Sequence, residues 1–302
     1  MSARGLHHVT AIIGDVRRST EFYGKVLGLK RVKKTVCYDD PGSYHLYYGN
    51  DAGSPGSVMS TLAWSCVTPG MVGVGEVVQT AFRVPPGSLE GWSERLKSLD
   101  VACRMEVSPF GERMVCTFDP DGTAIALVES ANGAAGDVGA LTPSGLQGVT
   151  LDVREEDMTA DILQDVFGFT PVARGERSVR FVAHDGAGGS LTLRTVGKAS
   201  RGRLGGGTIR HVAFRALDEA DRSVMVQKLR SVYDISVSAP IERTYLTAVS
   251  FRAPCGVLFE IATDGPGFAV DEPAERLGER LMLPGFLEER RQELQMILPS
   301  LD

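Results

Sequence analysis

The segment GLHHVTAIIGDVRRSTEFYGKVLGLKRVKK, residues 5–34, is echoed by GLQGVTLDVREEDMTADILQDVFGFTPVAR, residues 145–174. Each reads as a short alternating strand, a helix closing near "LG" or "FG", and a second strand. In the first copy Val9, Ala11 and Ile13 alternate with His8, Thr10 and Ile12, and the helix is expected from about Ser19. Gly28 and Gly168 fall just past the helices, where a left-handed residue is commonly needed. A second pair lies between and beyond: QTAFRVPPGSLEGWSERLKSLDVACRMEV (79–107) matches RHVAFRALDEADRSVMVQKLRSVYDISVS (210–238). These close on the hairpins FDPDGTAIALVES (118–130) and FRAPCGVLFEIATD (251–264), with turns at Asp121-Gly122 and Cys255-Gly256.

The chain therefore reads as an α+β protein of four βαβββ modules, near 5–64, 75–130, 144–196 and 207–264. NGAAGDVGALTPSG (132–145) has the composition of a linker, and the Gly-rich run 202–207 introduces the fourth module. Taken in order, the modules divide the chain into a first domain (5–130, modules one and two), a second (144–264, modules three and four) and a helical tail (265–302). Paired modules curl into a cup, so four make two cups. The tail shows two amphipathic helical stretches and is expected to pack across a cup mouth or rim.

Composition narrows the function. Apolar residues are 43% and charged residues 23% of 302, ordinary for a soluble globular protein. No apolar run approaches the roughly 20 residues that span a bilayer, and the start MSARGLHHVT lacks a signal-peptide core, so a cytoplasmic protein without membrane partners is expected. A net charge of −6 disfavours nucleic acid as a partner. The short basic spots Arg31–Lys34 and Arg201–Arg203 read as solvated surface. Five cysteines without CxxC spacing (Cys37, Cys66, Cys103, Cys116, Cys255) argue against disulfides or a thiolate metal site and are expected buried or half-buried. RGRLGGGT is followed by a strand rather than a helix, which leaves no helix N-terminus for a nucleotide phosphate.

The chain has five histidines: His7, His8, His45, His184 and His211. Non-haem iron is typically held by two His and one carboxylate on one face, with positions left open. Alternate strand residues face opposite ways. One face of the first strand carries His7 and Val9, the other His8 and Thr10. In module four Arg210, Val212 and Phe214 oppose His211 and Ala213, while Phe259 and Ile261 oppose Glu260. The bulky faces suit packing under helices, leaving His8, His211 and Glu260 as the candidate metal ligands in a cup. A lone strand histidine is more often structural, but Glu260 interrupts an apolar run where an unpaired carboxylate is costly. Repeat alignment puts Gln79, Ala126 and Gly148 at the equivalent positions of modules two and three, which cannot rebuild the set. The ligand pattern therefore predicts that modules one and four share the metal cup and that two and three form a vacant one. His45 is expected in a structural or rim role, His184 in a turn.

GLHHVTAIIGD (5–15), FYGKVLGLKRVKKTV (22–36) and DDPGSYHLYYGNDAGSPGS (39–57), with GGGTIRHVAFRA (205–216), IERTYLTAVSFRAPCGVLFEIATDGPGF (241–268) and LGERLMLPGFLEERR (277–291), resemble the single-chain hydroquinone-type ring-cleaving dioxygenases. These are four-module proteins of the vicinal-oxygen-chelate (glyoxalase/bleomycin resistance/extradiol dioxygenase) superfamily. The resemblance implies Fe(II), less often Mn(II), on His8, His211 and Glu260, and an extradiol-type enzyme that inserts O2 beside a metal-bound hydroxyl of a small phenolic aromatic. It also implies roles for His7, Thr10 and Arg243 beside the site. Parity points His7 away from the cup unless the strand is bulged. The family's Tyr ten residues before the final Glu is Ser250 here, a candidate site residue that parity puts on the cup side, opposite Val249 and Phe251, and the family's second His before the module-four ligand is Arg210. Two other readings use the same fold: a glyoxalase-like metal-dependent isomerase or lyase, which would consume no oxygen, and a non-catalytic aromatic-binding protein. The fold is compatible with a homodimer, although no sequence feature marks an interface.

Overall fold

The computed structural model describes residues 4–64, 66–130, 141–155 and 157–301. Most of the linker composition at 132–145 lies outside them. Module one is β1 (Leu6–Ile13), α1 (Val16–Thr20, continuing as a π-helical turn to Val26), β2 (Lys30–Val36), β3 (Tyr44–Gly49) and β4 (Val58–Ala63). Module two is β5 (Val77–Val84), α2 (Leu89–Ser98), β6 (Cys103–Val107), β7 (Arg113–Phe118) and β8 (Ala124–Glu129). Module three is β9 (Leu146–Val153), α3 (Asp157–Asp165), β10 (Thr170–Arg174), β11 (Ser178–Val182) and β12 (Ser190–Thr195). Module four is β13 (Ile209–Ala216), α4 (Glu219–Tyr233), β14 (Ile241–Arg243), β15 (Leu246–Arg252) and β16 (Leu258–Pro266).

Local chemistry explains the boundaries. The first helix begins at Val16, three residues before the expected Ser19, because the Asp15 carboxylate caps the amides of Arg17 and Arg18 at 2.9 and 3.1 Å. Gly28 and Gly168 take the left-handed φ of 73° and 71° expected just past the helices. The last strand runs to Pro266, two residues past the end of the fourth module as read from sequence.

Two eight-stranded sheets result, ordered β14-β15-β16-β13-β1-β4-β3-β2 and β10-β11-β12-β9-β5-β8-β7-β6. The first joins modules four and one, the second modules three and two. The sheets thus do not follow the consecutive division at 5–130 and 144–264: each cup draws one module from either half. The joint in each is antiparallel, β1 on β13 and β5 on β9; within a module the first and last strands pair parallel, as β1 does with β4, and the others pair antiparallel.

The bulky faces pack as parity predicts. Val212, Phe214, Phe259 and Ile261 are fully buried. Phe167, just beyond α3, stacks on Phe214 at 3.9 Å, and Phe259 meets Phe214 edge-on at 4.8 Å; burying each such ring contributes about 2–3 kcal/mol. The cup faces carry smaller side chains: Ala213, Leu246, Ala248 and Ala262 cluster separately. The two cups meet where Leu6 N donates to Gly188 O (2.8 Å) and Leu146 N to Gly56 O (3.0 Å). A Cβ on Gly56 would lie 2.3 Å from Ala187 O, so this approach requires glycine.

Three expectations change. The tail forms short 3-10 turns and one helix, α5 (Arg291–Ile297), rather than two amphipathic helices. Pro273, Gly278, Pro284 and Gly285 interrupt it. It runs along the β2 edge, where Lys34 bridges Leu281, and sends Phe268 and Leu277 into a cluster with Val32, Tyr47, Val58 and Tyr245. The basic run 31–34 is not all solvated surface: Lys33 is completely buried, its ammonium 2.6 Å from Asp271, 2.5 Å from Glu272 and over the Tyr245 ring. Cys66 is exposed, at a left-handed φ of 57°, although all five cysteines are unpaired as expected. Among the described residues no helix is long and apolar enough to cross a membrane.

Candidate metal centre

At the centre of the first cup, β1 contributes His8, β13 His211 and β16 Glu260. His8 Nε2 lies 3.1 Å from His211 Nε2 and 3.6 Å from Glu260 Oε1, and His211 Nε2 lies 3.9 Å from the same oxygen. All three are buried, and among the described residues they are the one group of three potential ligands found together. The register brings them there: Thr10 pairs with His211 across the module joint, and Ala213 pairs with Glu260 within module four.

The residues fit an ion. Metal bonds of ~2.1 Å place neighbouring donors about 3–4 Å apart, as here. Burial holds His8 and His211 well below the usual imidazole range, helped by neighbouring histidines for His8 and by Arg210 and Arg243 for His211. Both are thus in the neutral form that ligates. Burial pushes the Glu260 carboxyl up, while Arg243, Arg210 and the Ser250 hydroxyl pull it down. Three lone-pair-bearing atoms converging in a dry site repel one another, a strain that a cation between them relieves.

The supporting residues stand as follows. His7 Nδ1 lies 2.9 Å from His8 Nδ1. With His8 Nε2 facing the centre, its Nδ1–H donates to His7, the kind of partner that fixes a ligating imidazole. Burial lowers His7 to about 4, against the pull of Asp264. Thr10 Oγ1 is 2.8 Å from His211 Nε2 and 2.7 Å from Ser60 Oγ, which in turn is 3.1 Å from His45 Nε2. Ser250 pairs with Glu260 across β15 and β16. Neither His7 nor Ser250 lines the central cavity; both stand behind a ligand. Arg243, half-buried, does line it, with Arg210, Cys37, Asp39, His45 and Tyr47 among its neighbours. That cavity is about 20 Å³, the space of one water.

Sequence parity misplaced Arg210, which lines the cavity, whereas His7 stays off it as parity expects; the pairing shows why. Across the joint Thr10 pairs with His211 but Ala11 with Ile209, and Leu6 pairs with Phe214 but His8 with Ala213. Arg210 and His7 are therefore the extra residues of two β-bulges, each preceding a histidine of the set. A bulge re-aims its side chain out of strict alternation. Tyr47 was also not anticipated; its hydroxyl lies 3.1 Å from His45 Nδ1, with the rings stacked at 4.2 Å. The aromatic alternation in YHLYYG was the available signal. His184 holds a turn, accepting from Gly186 N at 3.0 Å.

The second cup repeats the backbone without the donors. Its cavity is larger, about 460 Å³, yet Gln79, Ala126 and Gly148 stand at the three positions. A Cβ on Gly148 would sit 2.1 Å from Ser190 O, so no side chain fits there unless the backbone moves. Volume and chemistry point to different cups, and the donor set decides between them.

The model of the Glyoxalase/Bleomycin resistance protein/Dioxygenase superfamily matches residues 5–127 and 145–261. The chain is 38% identical to "Putative ring-cleaving dioxygenase MhqO" of Bacillus subtilis (strain 168), covering 98% of this chain and 96% of that protein. It is 26% identical to the "Chlorohydroquinone/hydroquinone 1,2-dioxygenase" of Sphingobium indicum, over 96% and 94%. A crystal structure titled as a putative dioxygenase from Bacillus subtilis superposes with a TM-score of 0.93 at 37% identity, covering 100% and 98%. Glyoxalase I from Zea mays, at 16% identity and a TM-score of 0.67 over 87% and 93%, shares the fold alone.

Proposed function

Since the chain belongs to the glyoxalase/bleomycin resistance protein/dioxygenase superfamily, we propose that it is an Fe(II)-dependent ring-cleaving dioxygenase acting on a hydroquinone-type or related phenolic aromatic. The observation that carries the reading is the buried set of two neutral imidazoles and one carboxylate, His8, His211 and Glu260, within 3.9 Å of one another. Three protein ligands on one side suit non-haem iron, which needs open positions. The chemistry such an ion supplies is alignment of a phenolate with dioxygen and passage of electron density from ring to oxygen.

The chain's own residues do the rest. His7 holds His8 in the tautomer that presents Nε2, and Ser250 holds Glu260. The Thr10 hydroxyl, freed from His211 once that nitrogen ligates, is left to donate to a substrate oxygen. Arg243 stands in the cavity wall, half-buried and without a hydrogen-bond or ion-pair partner among the described residues, where it stabilises developing negative charge. Tyr47 places a phenol in the same wall.

The test is oxygen uptake by the Fe(II)-reconstituted chain with a panel of hydroquinones and catechols, alongside His211→Ala and Glu260→Ala. Uptake with a ring-opened product, lost in both variants, is the expected result. No uptake despite stoichiometric iron would overturn the dioxygenase reading and favour the isomerase or binding protein on the same fold.

A further inference from the structure

Arg210 stands at a position where the homologous module carries an aliphatic residue. It is the extra residue of the bulge on β13, between Ile209 and His211, and the bulge turns it into the metal cup. The second cup has the same bulge: Val77 pairs with Leu151 and Gln79 with Thr150, leaving Val78 as the extra residue. Val78 also lines its cup. The backbone device is therefore common to both cups and accepts an aliphatic side chain without difficulty.

Arg210 is nonetheless half-buried, and among the described residues its guanidinium has neither a hydrogen-bond nor an ion-pair partner. Arg243, across the same cavity, likewise has no hydrogen-bond or ion-pair partner among the described residues, its guanidinium lying over the Tyr38 ring at 5.9 Å. Burying charge without a partner costs free energy, and Val78 shows that the fold alone does not demand it. By contrast, the arginines of the vacant cup are paired: Arg180 with Glu112, Arg194 with Asp152 and Arg104 with Glu106. Among the described arginines that line the two cups, those without a hydrogen-bond or ion-pair partner lie in the cup that carries the donor set.

We propose that Arg210, together with Arg243, binds a carboxylate substituent on the aromatic substrate, so that the preferred substrate class is a hydroxybenzoate of hydroquinone pattern rather than a neutral hydroquinone. This rests on the reading of the site as one that holds a phenolic ring. The charges agree: among the lining residues Arg210 and Arg243 balance Asp39 and Glu260, so a divalent ion leaves two positive charges for a phenolate and a carboxylate to neutralise. A planar guanidinium fork matches a carboxylate in two parallel hydrogen bonds.

The experiment is calorimetric binding under argon, on the full chain both metal-free and Fe(II)-loaded, with 2,5-dihydroxybenzoate, its neutral amide and hydroquinone as probes. Arg210→Val copies the residue that the homologous bulge accepts, and Arg210→Lys keeps the charge; melting curves verify that both fold. The expected result is at least tenfold preference for the carboxylate over the amide, abolished in Arg210→Val and partly kept in Arg210→Lys. Equal affinity for carboxylate and amide, equal losses for all three probes in Arg210→Val, or no binding of any probe to either form would overturn the proposal. The outcome is separable from the oxygen-uptake test. Carboxylate preference without uptake keeps the clamp and removes the dioxygenase, whereas uptake without carboxylate preference does the reverse.

Discussion

Replacing Lys33 with Met should loosen the strap that the tail lays beside the metal cup. The Lys33 ammonium is fully buried against Asp271 at 2.6 Å and Glu272 at 2.5 Å, and lies 4.7 Å from the Tyr245 ring centroid. Methionine has a similar volume, so packing is retained and the charge alone is removed. Asp271 keeps the Tyr245 hydroxyl at 3.0 Å and some solvent. Glu272, with 3% of its side chain exposed, keeps only the amides of Gly278 and Arg280 at 3.3 and 3.4 Å. Removing one partner of a buried pair costs about 3–5 kcal/mol, and the two remaining amides put the value at the lower end, about 3 kcal/mol. At roughly 2–4 °C per kcal/mol for a chain of this size or somewhat smaller, Lys33→Met should melt about 6–12 °C lower. The double variant Lys33→Met/Glu272→Gln, which removes the stranded charge, should recover more than half of that loss. Thermal unfolding followed by circular dichroism measures both. Hydrogen exchange over 268–281 should rise in the single variant before the sheets open. A single variant within about 1 kcal/mol of wild type, or a double variant no better than the single, would refute the claim that this buried pair anchors the tail.

Glu76 gives the fold a pH dependence away from the metal cup. Burial pushes its carboxyl up to about 7, against the pull of Arg252 and Arg201. The folded state then holds this proton more tightly than the unfolded chain, so the contribution favours folding at low pH and is lost as pH rises from the unfolded carboxyl range through about 7. At ~1.4 kcal/mol per pH unit as a ceiling, discounted for residual solvent, about 2 kcal/mol should disappear over that window. Glu76→Gln should flatten this part of the stability profile and melt higher than wild type at roughly pH 8; an unchanged slope would show that the carboxyl titrates normally. His7→Ala should weaken Fe(II) binding about 10–100-fold with the three ligands intact, read by competition with a chelator. Unchanged affinity would mean that His8 needs no partner on Nδ1.

The division between what sequence and tertiary structure decide is sharp in this protein. The repeats, the hairpin turns at Gly122 and Gly256, the buried faces of Val212, Phe214, Phe259 and Ile261, and the convergence of His8, His211 and Glu260 all follow from local periodicity. Alternation along a strand is a property of that strand's own backbone, so it can be read without knowing its neighbour. The absence of donors at Gln79, Ala126 and Gly148 even indicated that modules one and four belong together, against the simpler consecutive division. Arg210 was misplaced because a bulge is a property of a pairing. Which residue is extra on β1 or β13 depends on the register between segments some 200 residues apart, and no local pattern records it. Lys33 and the tail were illegible for the same reason: a lysine in a basic run looks solvated until a distant Asp-Glu pair arrives to bury it. Local sequence determined which residues the metal cup offers; long-range register determined which of the remaining charges face into it.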